Sequence, residues 1–211
     1  MPHASQAYLV IDASLAGPAP DEVAHLLRAG RIACVLLQPD AGVSLDQPRL
    51  ARLVEAVQSQ ATAALIAGDT RLALALGADG VHLPAAAAAA ADAEAAEAGL
   101  KAARALLGSG RIVGAGSGDS RHAAMVLAEL GADYVAFGDT GGADAASRLA
   151  LVGWWAEMFV VPCVAWGVAD RQEARRMAEA GADFVAAGPA GGLAEAWDIL
   201  AGLPLPQEAN S

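Results

Sequence analysis

The sequence has few lysines, cysteines and aromatic residues, and each shortage narrows the possible functions. Lys101 is the one lysine among 211 residues, and 13 basic against 24 acidic residues give a net charge of −11. A chain this acidic repels phosphodiester backbones, so we expect no nucleic-acid partner. Cys34 and Cys163 lie within apolar runs, which is typical of buried thiols in a reducing cytoplasm and not of a disulfide or a metal pair.

Long apolar runs and a secretory leader are also missing. No stretch of about 18 strongly apolar residues is present to cross a bilayer, and the first residues lack a basic start and a leucine-rich stretch. We therefore expect a cytoplasmic protein with no membrane partner. Alanine, in contrast, is abundant: 56 of 211 residues, beside only 4 % aromatics. Hydrophobic residues make up 55 % of the chain and charged residues 18 %, which excludes intrinsic disorder. The abundance of alanine predicts a core of small side chains at close element spacing.

A repeated five-residue pattern organises the chain. Gly-Ala-Asp-Gly-Val at 77–81 recurs as Gly-Ala-Asp-Tyr-Val at 131–135 and as Gly-Ala-Asp-Phe-Val at 181–185, with a looser copy near 29–32. Glycine just after a helix adopts the left-handed conformation that ends it, and the apolar residues that follow suit a buried parallel strand. Each copy therefore predicts a helix end, a tight turn and a strand start. We expect its aspartate to be a turn residue on the face opposite the site.

Four such junctions, each separated by one more strand and helix, predict eight βα units. We expect an α/β protein with a single (β/α)₈ TIM barrel over residues 1–203 and a flexible tail over 204–211. An open doubly wound sheet is the alternative, which the even spacing disfavours. The predicted strands are 8–11, 32–37, 63–67, 80–83, 112–115, 134–138, 163–166 and 184–187. The predicted helices are 21–29, 47–59, 71–76, 86–107, 121–130, 146–159, 172–180 and 193–200.

Glycine-rich turns follow the last four predicted strands, at 114–118, 138–142, 167–168 and 188–192. In a barrel of this kind the functional residues lie at the carboxyl ends of the strands. Glycine lets backbone N–H groups approach a ligand, and a helix start favours an anion. The predicted ligand-binding residues are therefore Gly167, Val168, Gly188 and Pro189, with Ser117 and Gln38 beside them.

The candidate catalytic residues are Asp69, His82 and Asp139. Both aspartates follow predicted strands. The candidate Mg²⁺ ligands are Asp12, Asp40, Asp69 and Asp139, although no pair of them has diagnostic metal spacing. His82 lies within a strand, where it is either an inward-facing core residue or a wall of the site. The adjacent Trp154 and Trp155 point about 100° apart on a helix, so one enters the core and the other lies near the surface, which predicts a homo-oligomer.

Five segments, 79–83, 112–114, 131–138, 161–167 and 180–185, resemble the thiamine phosphate synthase family, whose superfamily includes the thiazole tautomerase TenI. The resemblance covers most of the chain from about residue 60 and implies a (β/α)₈ barrel with small phosphorylated ligands. Members of the family join a pyrimidine diphosphate to a thiazole phosphate with Mg²⁺ assistance. The diphosphate leaves before the thiazole nitrogen attacks.

The same resemblance exposes departures from the family pattern. Gln38 and Asp40 stand where the family has an arginine and a lysine that grip the diphosphate, and the stretch after strand six lacks the family's lysine. Asp69 matches, whereas Val168 replaces the second glycine of a phosphate turn. The position of the tautomerase histidine falls within 117–119.

Because diphosphate departure needs cations, we expect synthase activity to be weak or lost. Two alternatives stay open. One is a non-catalytic binder of phosphorylated small molecules, and the other is a barrel enzyme of different specificity that uses His82 and Asp139 as acid and base.

Overall fold

Eight parallel strands, each followed by a helix, close into one barrel. The computed structural model describes residues 4–14, 16–29, 32–38, 46–85, 93–139, 144–188 and 192–203. The strands neighbour one another in sequence order, and the first pairs with the last. This closure confirms the (β/α)₈ barrel and excludes the open sheet. The predicted tail over 204–211 lies outside the described residues.

The elements lie close to their predicted positions, and residues 86–92 of the predicted fourth helix lie outside the described residues. The strands are β1 (Gln6–Asp12), β2 (Ile32–Gln38), β3 (Ala63–Ala67), β4 (Gly80–Leu83), β5 (Ile112–Gly118), β6 (Tyr134–Phe137), β7 (Cys163–Ala165) and β8 (Phe184–Ala187). The helices are α1 (Pro20–Leu27), α2 (Gln47–Gln58), α3 (Thr70–Ala75), α4 (Ala93–Leu107), α5 (Arg121–Glu129), α6 (Ala145–Met158), α7 (Arg171–Glu179) and α8 (Gly192–Leu200). Across the described ranges, no helix is long and apolar enough to span a membrane.

Strand β5 differs most from the prediction. The segment 114–118 was interpreted as a glycine-rich turn, but β5 continues through it to Gly118. Glycine is needed at these strand positions because a larger residue would not fit. A Cβ atom on Gly114 would lie 1.9 Å from Cζ of Tyr134, and one on Gly116 would lie 1.8 Å from Oδ2 of Asp139. The turn prediction at this segment is therefore wrong.

The three Gly-Ala-Asp repeats lie at the amino-terminal end of the barrel, as predicted. Their glycines have φ values of 68°, 91° and 101° and follow the ends of α3, α5 and α7. In each copy the aspartate donates its backbone N–H to a residue at the start of the preceding strand and accepts that residue's N–H with Oδ2. We call these pairs the aspartate clamps: Asp79–Ala64, Asp133–Val113 and Asp183–Cys163.

Two apolar cores fill the molecule. One lies between the sheet and the helices. The other fills the barrel and consists mainly of small or aromatic residues: Tyr8, Val10, Cys34, Leu36, Leu65, Tyr134, Ala136, Val164 and Ala186. Both cysteines are buried and free, as expected. Burial raises the pKa of the Cys163 thiol to about 12, so this thiol stays protonated at neutral pH.

The adjacent tryptophans of α6 point in different directions, as predicted. Trp155 is fully buried, stacks on Phe159 and donates its Nε1–H to the carbonyl of Val161 at 2.7 Å. Trp154 is half-buried, and the Arg121 guanidinium lies over its ring at 4.6 Å. Much of this second indole is therefore covered within its own chain. The homo-oligomer stays a prediction.

Candidate functional site

A chain of polar side chains runs up the barrel interior toward the carboxyl ends of the strands. The hydroxyls of Tyr8 and Tyr134 lie 3.0 Å apart, and the Tyr134 hydroxyl lies 3.1 Å from Nδ1 of His82. The His82 ring stacks on Trp166, with ring centres 4.9 Å apart. Of the two alternatives for His82, the structure shows the inward-facing core residue. His82 is 1 % exposed, and its neighbours hold the ring in place.

The other ring nitrogen of His82 points toward Asp139. Nε2 lies 3.9 Å from Oδ2 of Asp139, beyond hydrogen-bond distance, and both side chains are 2 % exposed. Nε2 is buried and makes no hydrogen bond. Two of the three predicted catalytic residues therefore lie side by side at the top of the barrel interior. An unsatisfied nitrogen there suits a polar atom of a small ligand.

Burial sets the protonation of this pair. Desolvation lowers the pKa of His82 from 6.5 to about 3, so the ring is neutral at physiological pH. Desolvation also raises the pKa of Asp139, while backbone hydrogen bonds oppose that shift. Those bonds come from Ala85, whose N–H reaches Oδ2 at 2.6 Å, and from Gly118, whose N–H reaches Oδ1 at 3.0 Å. Asp139 thereby links the segments that follow β4, β5 and β6.

In the turns after β7 and β8, glycines have the backbone geometry that lets a ligand come close to the main chain. Gly167 is exposed with a φ of 68°, and Gly188 has a φ of 104°. A Cβ atom on Gly188 would lie 2.1 Å from the carbonyl oxygen of Val10, so only glycine fits there. Within the described residues, the N–H groups of Gly167 and Val168 donate no hydrogen bond. The predicted residue Pro189 lies outside the described ranges.

A buried ion pair lies behind the β7 turn, which we define as residues 167–169. Nη2 of Arg148 on α6 lies 2.5 Å from Oε1 of Glu173 on α7, with side chains 7 % and 5 % exposed. The second carboxylate oxygen of Glu173 accepts the N–H of Ala169 at 2.8 Å. The carboxylate of Glu173 therefore joins the Arg148 guanidinium to the backbone of the β7 turn.

The remaining predicted residues do not converge on this centre. Asp69 is exposed and caps α3, with Oδ1 accepting the N–H of Leu72 at 2.9 Å. Gln38 is exposed at the end of β2. Ser117 is buried, and its hydroxyl donates to the carbonyl of Ala136 at 3.0 Å. Their roles as catalytic, metal-binding and ligand-binding residues stay predictions.

The described residues do not fit the Mg²⁺ ion that the resemblance implies. No three His, Cys, Asp or Glu side chains converge within the described ranges. One carboxylate oxygen of Asp69 accepts a helix-cap hydrogen bond, and both oxygens of Asp139 accept backbone N–H groups. Magnesium prefers an octahedral set of oxygen ligands, usually with more than one anionic donor among protein and substrate.

Two described cavities lie away from the His82–Asp139 pair. One of about 710 Å³ is at the amino-terminal end, lined by residues that include Gly77, Asp79 and Arg111. The other, of about 400 Å³, opens at the carboxyl-terminal end beside Asp12, Gly17 and Gly192. The larger cavity lies among the repeat turns, opposite the strand ends where barrels of this class carry their chemistry. The smaller one adjoins the start of α8, at the same end of the barrel as the candidate site.

Comparisons with known proteins agree with this architecture. The fold and the strand-end residues define a (β/α)₈ barrel with its candidate site at the carboxyl ends of the strands. The family model described as thiamine monophosphate synthase matches residues 7–190. The chain belongs to this family, and its function is thiamine phosphate synthase-like.

Individual relatives give the same result. The chain is 35 % identical to a thiamine-phosphate synthase of Erythrobacter litoralis over 77 % of this chain and 76 % of the relative. It is 37 % identical to that of Rhodospirillum centenum over 69 % of this chain and 68 % of the relative. A solved thiamine phosphate pyrophosphorylase from Pyrococcus furiosus shares the fold, with a TM-score of 0.72, 20 % identity and coverage of 94 % and 93 %.

Sequence reasoning missed the partners that fix the site. Neither Arg148 nor Glu173 was among the predicted site residues. The inward position of Tyr8 and Tyr134 follows from strand alternation, but their contact joins β1 to β6 across the barrel. No local pattern in the sequence predicts such contacts, because the paired residues are 25 and 126 positions apart.

Proposed function

We propose that this protein binds a small phosphorylated molecule, such as a thiazole phosphate, at the β7 turn and the segment after β8. The observation that carries the proposal is the pair of unpartnered N–H groups at Gly167 and Val168, in a family whose substrates are phosphorylated. Backbone N–H groups bind anions without any particular side chain. Asp170 already caps the amino end of α7, so the dipole of α8 is the one that supports the anion.

We further propose that synthase turnover is weak or lost. The side chains at the described strand ends are acidic or neutral, namely those of Asp12, Gln38, Asp69 and Asp139. The sole lysine pairs with Glu97 on the outer helix α4, and Arg148 is paired with Glu173. Each lost charge-assisted contact costs roughly 1.5–3 kcal/mol. Losing the contacts of the family's three cationic side chains, two after strand two and one after strand six, therefore slows diphosphate departure by roughly three to six orders of magnitude.

Calorimetric titration with inorganic phosphate and with thiazole phosphate tests the binding proposal. Gly167→Ala strains a residue at φ 68° and shifts the N–H groups of the turn, so we expect weaker binding. Gly77→Ala is a matched control, because Gly77 also has a φ of 68° and lies at the opposite end of the barrel. A substitution at Gly188 is less suitable, since its clash with Val10 disturbs the barrel itself.

A coupled assay with the pyrimidine diphosphate and the thiazole phosphate tests the proposed loss of turnover. We expect turnover far below the ordinary enzymatic rate of about 1 s⁻¹ or more. Ordinary turnover would show that the missing cations matter less than we propose. Absence of phosphate binding by the unmodified protein would instead refute the anion site.

Acid–base catalysis on the bound phosphorylated molecule, in place of the synthase reaction, is the second candidate, favoured by the approach of His82 Nε2 to Asp139 Oδ2 at 3.9 Å. A neutral imidazole can accept a proton, and a carboxyl of raised pKa can return one. Its test is solvent deuterium incorporation into bound thiazole phosphate, measured by mass spectrometry. Loss of incorporation in His82→Asn with binding retained supports this candidate, and no incorporation by the unmodified protein rejects it.

A further inference from the structure

Arg148 packs directly against the glycine backbone of two strand ends. A Cβ atom on Gly138, which follows β6, would lie 2.5 Å from Cδ of Arg148. A Cβ atom on Gly167, which follows β7, would lie 3.8 Å from Nη1 of the same side chain and 3.7 Å from the carbonyl oxygen of Gly138. The absence of a side chain at Gly138 therefore makes space for the alkyl stem of Arg148, and the guanidinium lies close to Gly167.

The buried pair is unusual among the described residues. Among the arginine and lysine salt bridges of the described residues, the Arg148–Glu173 pair alone has both side chains buried, since the pairs of Lys101, Arg104 and Arg171 are exposed. Removing two charges from water is costly and is seldom repaid by their attraction alone. A hydrophobic pair fills such a position at no greater cost in stability. The location of the pair therefore suggests a role beyond stability.

We infer that Arg148, held by Glu173, is a positioning residue for the anion at the β7 turn. Arg148 lies against Gly138 and close to Gly167, and its partner Glu173 accepts the N–H of Ala169, so the guanidinium is held directly behind the turn. The guanidinium also places a buried positive charge behind the turn. The carboxylate of Glu173 offsets part of that charge. This inference rests on the phosphate site proposed above.

Two substitutions, one removing the positive charge of the pair and the other the negative charge, separate a positioning role from a structural one. Arg148→Met removes the charge behind the turn, so the dissociation constant for inorganic phosphate should rise about tenfold or more. Glu173→Gln keeps an amide oxygen for the N–H of Ala169 but removes the counter-charge. It should therefore tighten phosphate binding by about threefold while lowering the melting temperature, because a buried guanidinium is left without its counter-charge. Arg148→Lys should restore part of the lost affinity.

Arg104→Met is the matched control for lost charge and lost stability. Arg104 donates to three backbone carbonyls and to Asp133 at the amino-terminal end of the barrel, away from the turn. Calorimetric titration with inorganic phosphate at constant ionic strength should give the same dissociation constant for Arg104→Met and the unmodified protein.

The possible results are distinct. If Arg148→Met and Glu173→Gln both leave phosphate binding unchanged, or both weaken it, the pair is only structural and the inference is overturned. If Arg148→Met does not fold, the tightening expected of Glu173→Gln still decides the question. If the unmodified protein binds no phosphate, the proposed site itself fails and the inference fails with it, a result visible without any variant.

Discussion

The two ends of the barrel use aspartate in different ways. At the amino-terminal end Asp79, Asp133 and Asp183 each form the same clamp on the start of a neighbouring strand. At the carboxyl-terminal end no such repetition exists among the described strand ends. Asp69 caps a helix there, and Asp139 spans three segments around the His82 ring.

This difference separates the residues that build the barrel from those that define its chemistry. The clamp joins β3 to β4, β5 to β6 and β7 to β8, stabilises the backbone in the same way each time, and involves no ligand. The unrepeated end holds the buried histidine, the buried ion pair and the unpartnered N–H groups of the β7 turn. Such groups are costly to bury, and their presence at one end supports the proposal that the site lies there.

Glycine substitutions should show the largest contrast between the two ends. Gly188→Ala combines a φ of 104° with a contact of 2.1 Å to the Val10 carbonyl. We expect a loss of about 3 kcal/mol or more in the free energy of unfolding. Gly77→Ala meets no atom within 4 Å, so only its positive φ is penalised and about 1 kcal/mol should be lost. Urea unfolding measures both, and equal losses would contradict the contrast.

Lowering the pH should reduce the free energy of unfolding because His82, at the carboxyl-terminal end, is buried as a neutral ring. The pKa of His82 falls from 6.5 in the unfolded chain to about 3 in the folded one, so the unfolded state binds the proton first as the pH drops. From pH 7 to pH 5 this group should therefore lower the free energy of unfolding by about 2 kcal/mol. Asp139 acts in the opposite direction, because its raised pKa favours protonation of the folded state.

The His82→Asn variant isolates this contribution. Urea unfolding at pH 7 and pH 5 should show a smaller loss for the variant than for the unmodified protein. The comparison uses the difference between two pH values, so the packing defect of the variant cancels. An identical pH dependence in both proteins would mean that His82 is not the buried neutral ring described above.

Aspartate substitutions should give the smallest contrast. Asp183→Ala removes the acceptor of the Cys163 N–H, a buried strand residue, and should cost about 2 kcal/mol. Asp69→Ala removes an exposed helix cap and should cost about 1 kcal/mol. Thermal unfolding of both variants measures the difference. A larger loss for Asp69→Ala would indicate that this residue is more than a cap.

The repeated end of the barrel was predictable from the sequence, whereas the site was predictable only in part. Glycine at 77, 131 and 181 ends helices by a local rule, so the elements around it were placed closely. The glycines of β5 misled the prediction, because their need for space comes from Tyr134 and Asp139 on the next strand segment. A residue's local sequence does not reveal which distant side chain will lie against it.

The same limit applies to the site residues. Strand position alone predicted that His82 and Asp139 lie near the top of the barrel, and the structure brings them to 3.9 Å. The helix-capping role of Asp69 had a local signal, since aspartate directly before a helix is a common cap. The Arg148–Glu173 pair had none, because it joins α6 to α7 through a hydrogen bond between residues 25 positions apart.

The aspartate clamps also divide the chain into modules. Each clamp joins an odd-numbered strand to the even-numbered strand that follows, and it closes a loop of 15 or 20 residues. Short loops close at low entropic cost, so each pair of strands can form early and on its own. A circular permutant opened within α4 keeps all three loops short. One opened within α5 places Val113 and Asp133 near opposite ends of the new chain, and it should fold more slowly to the same barrel.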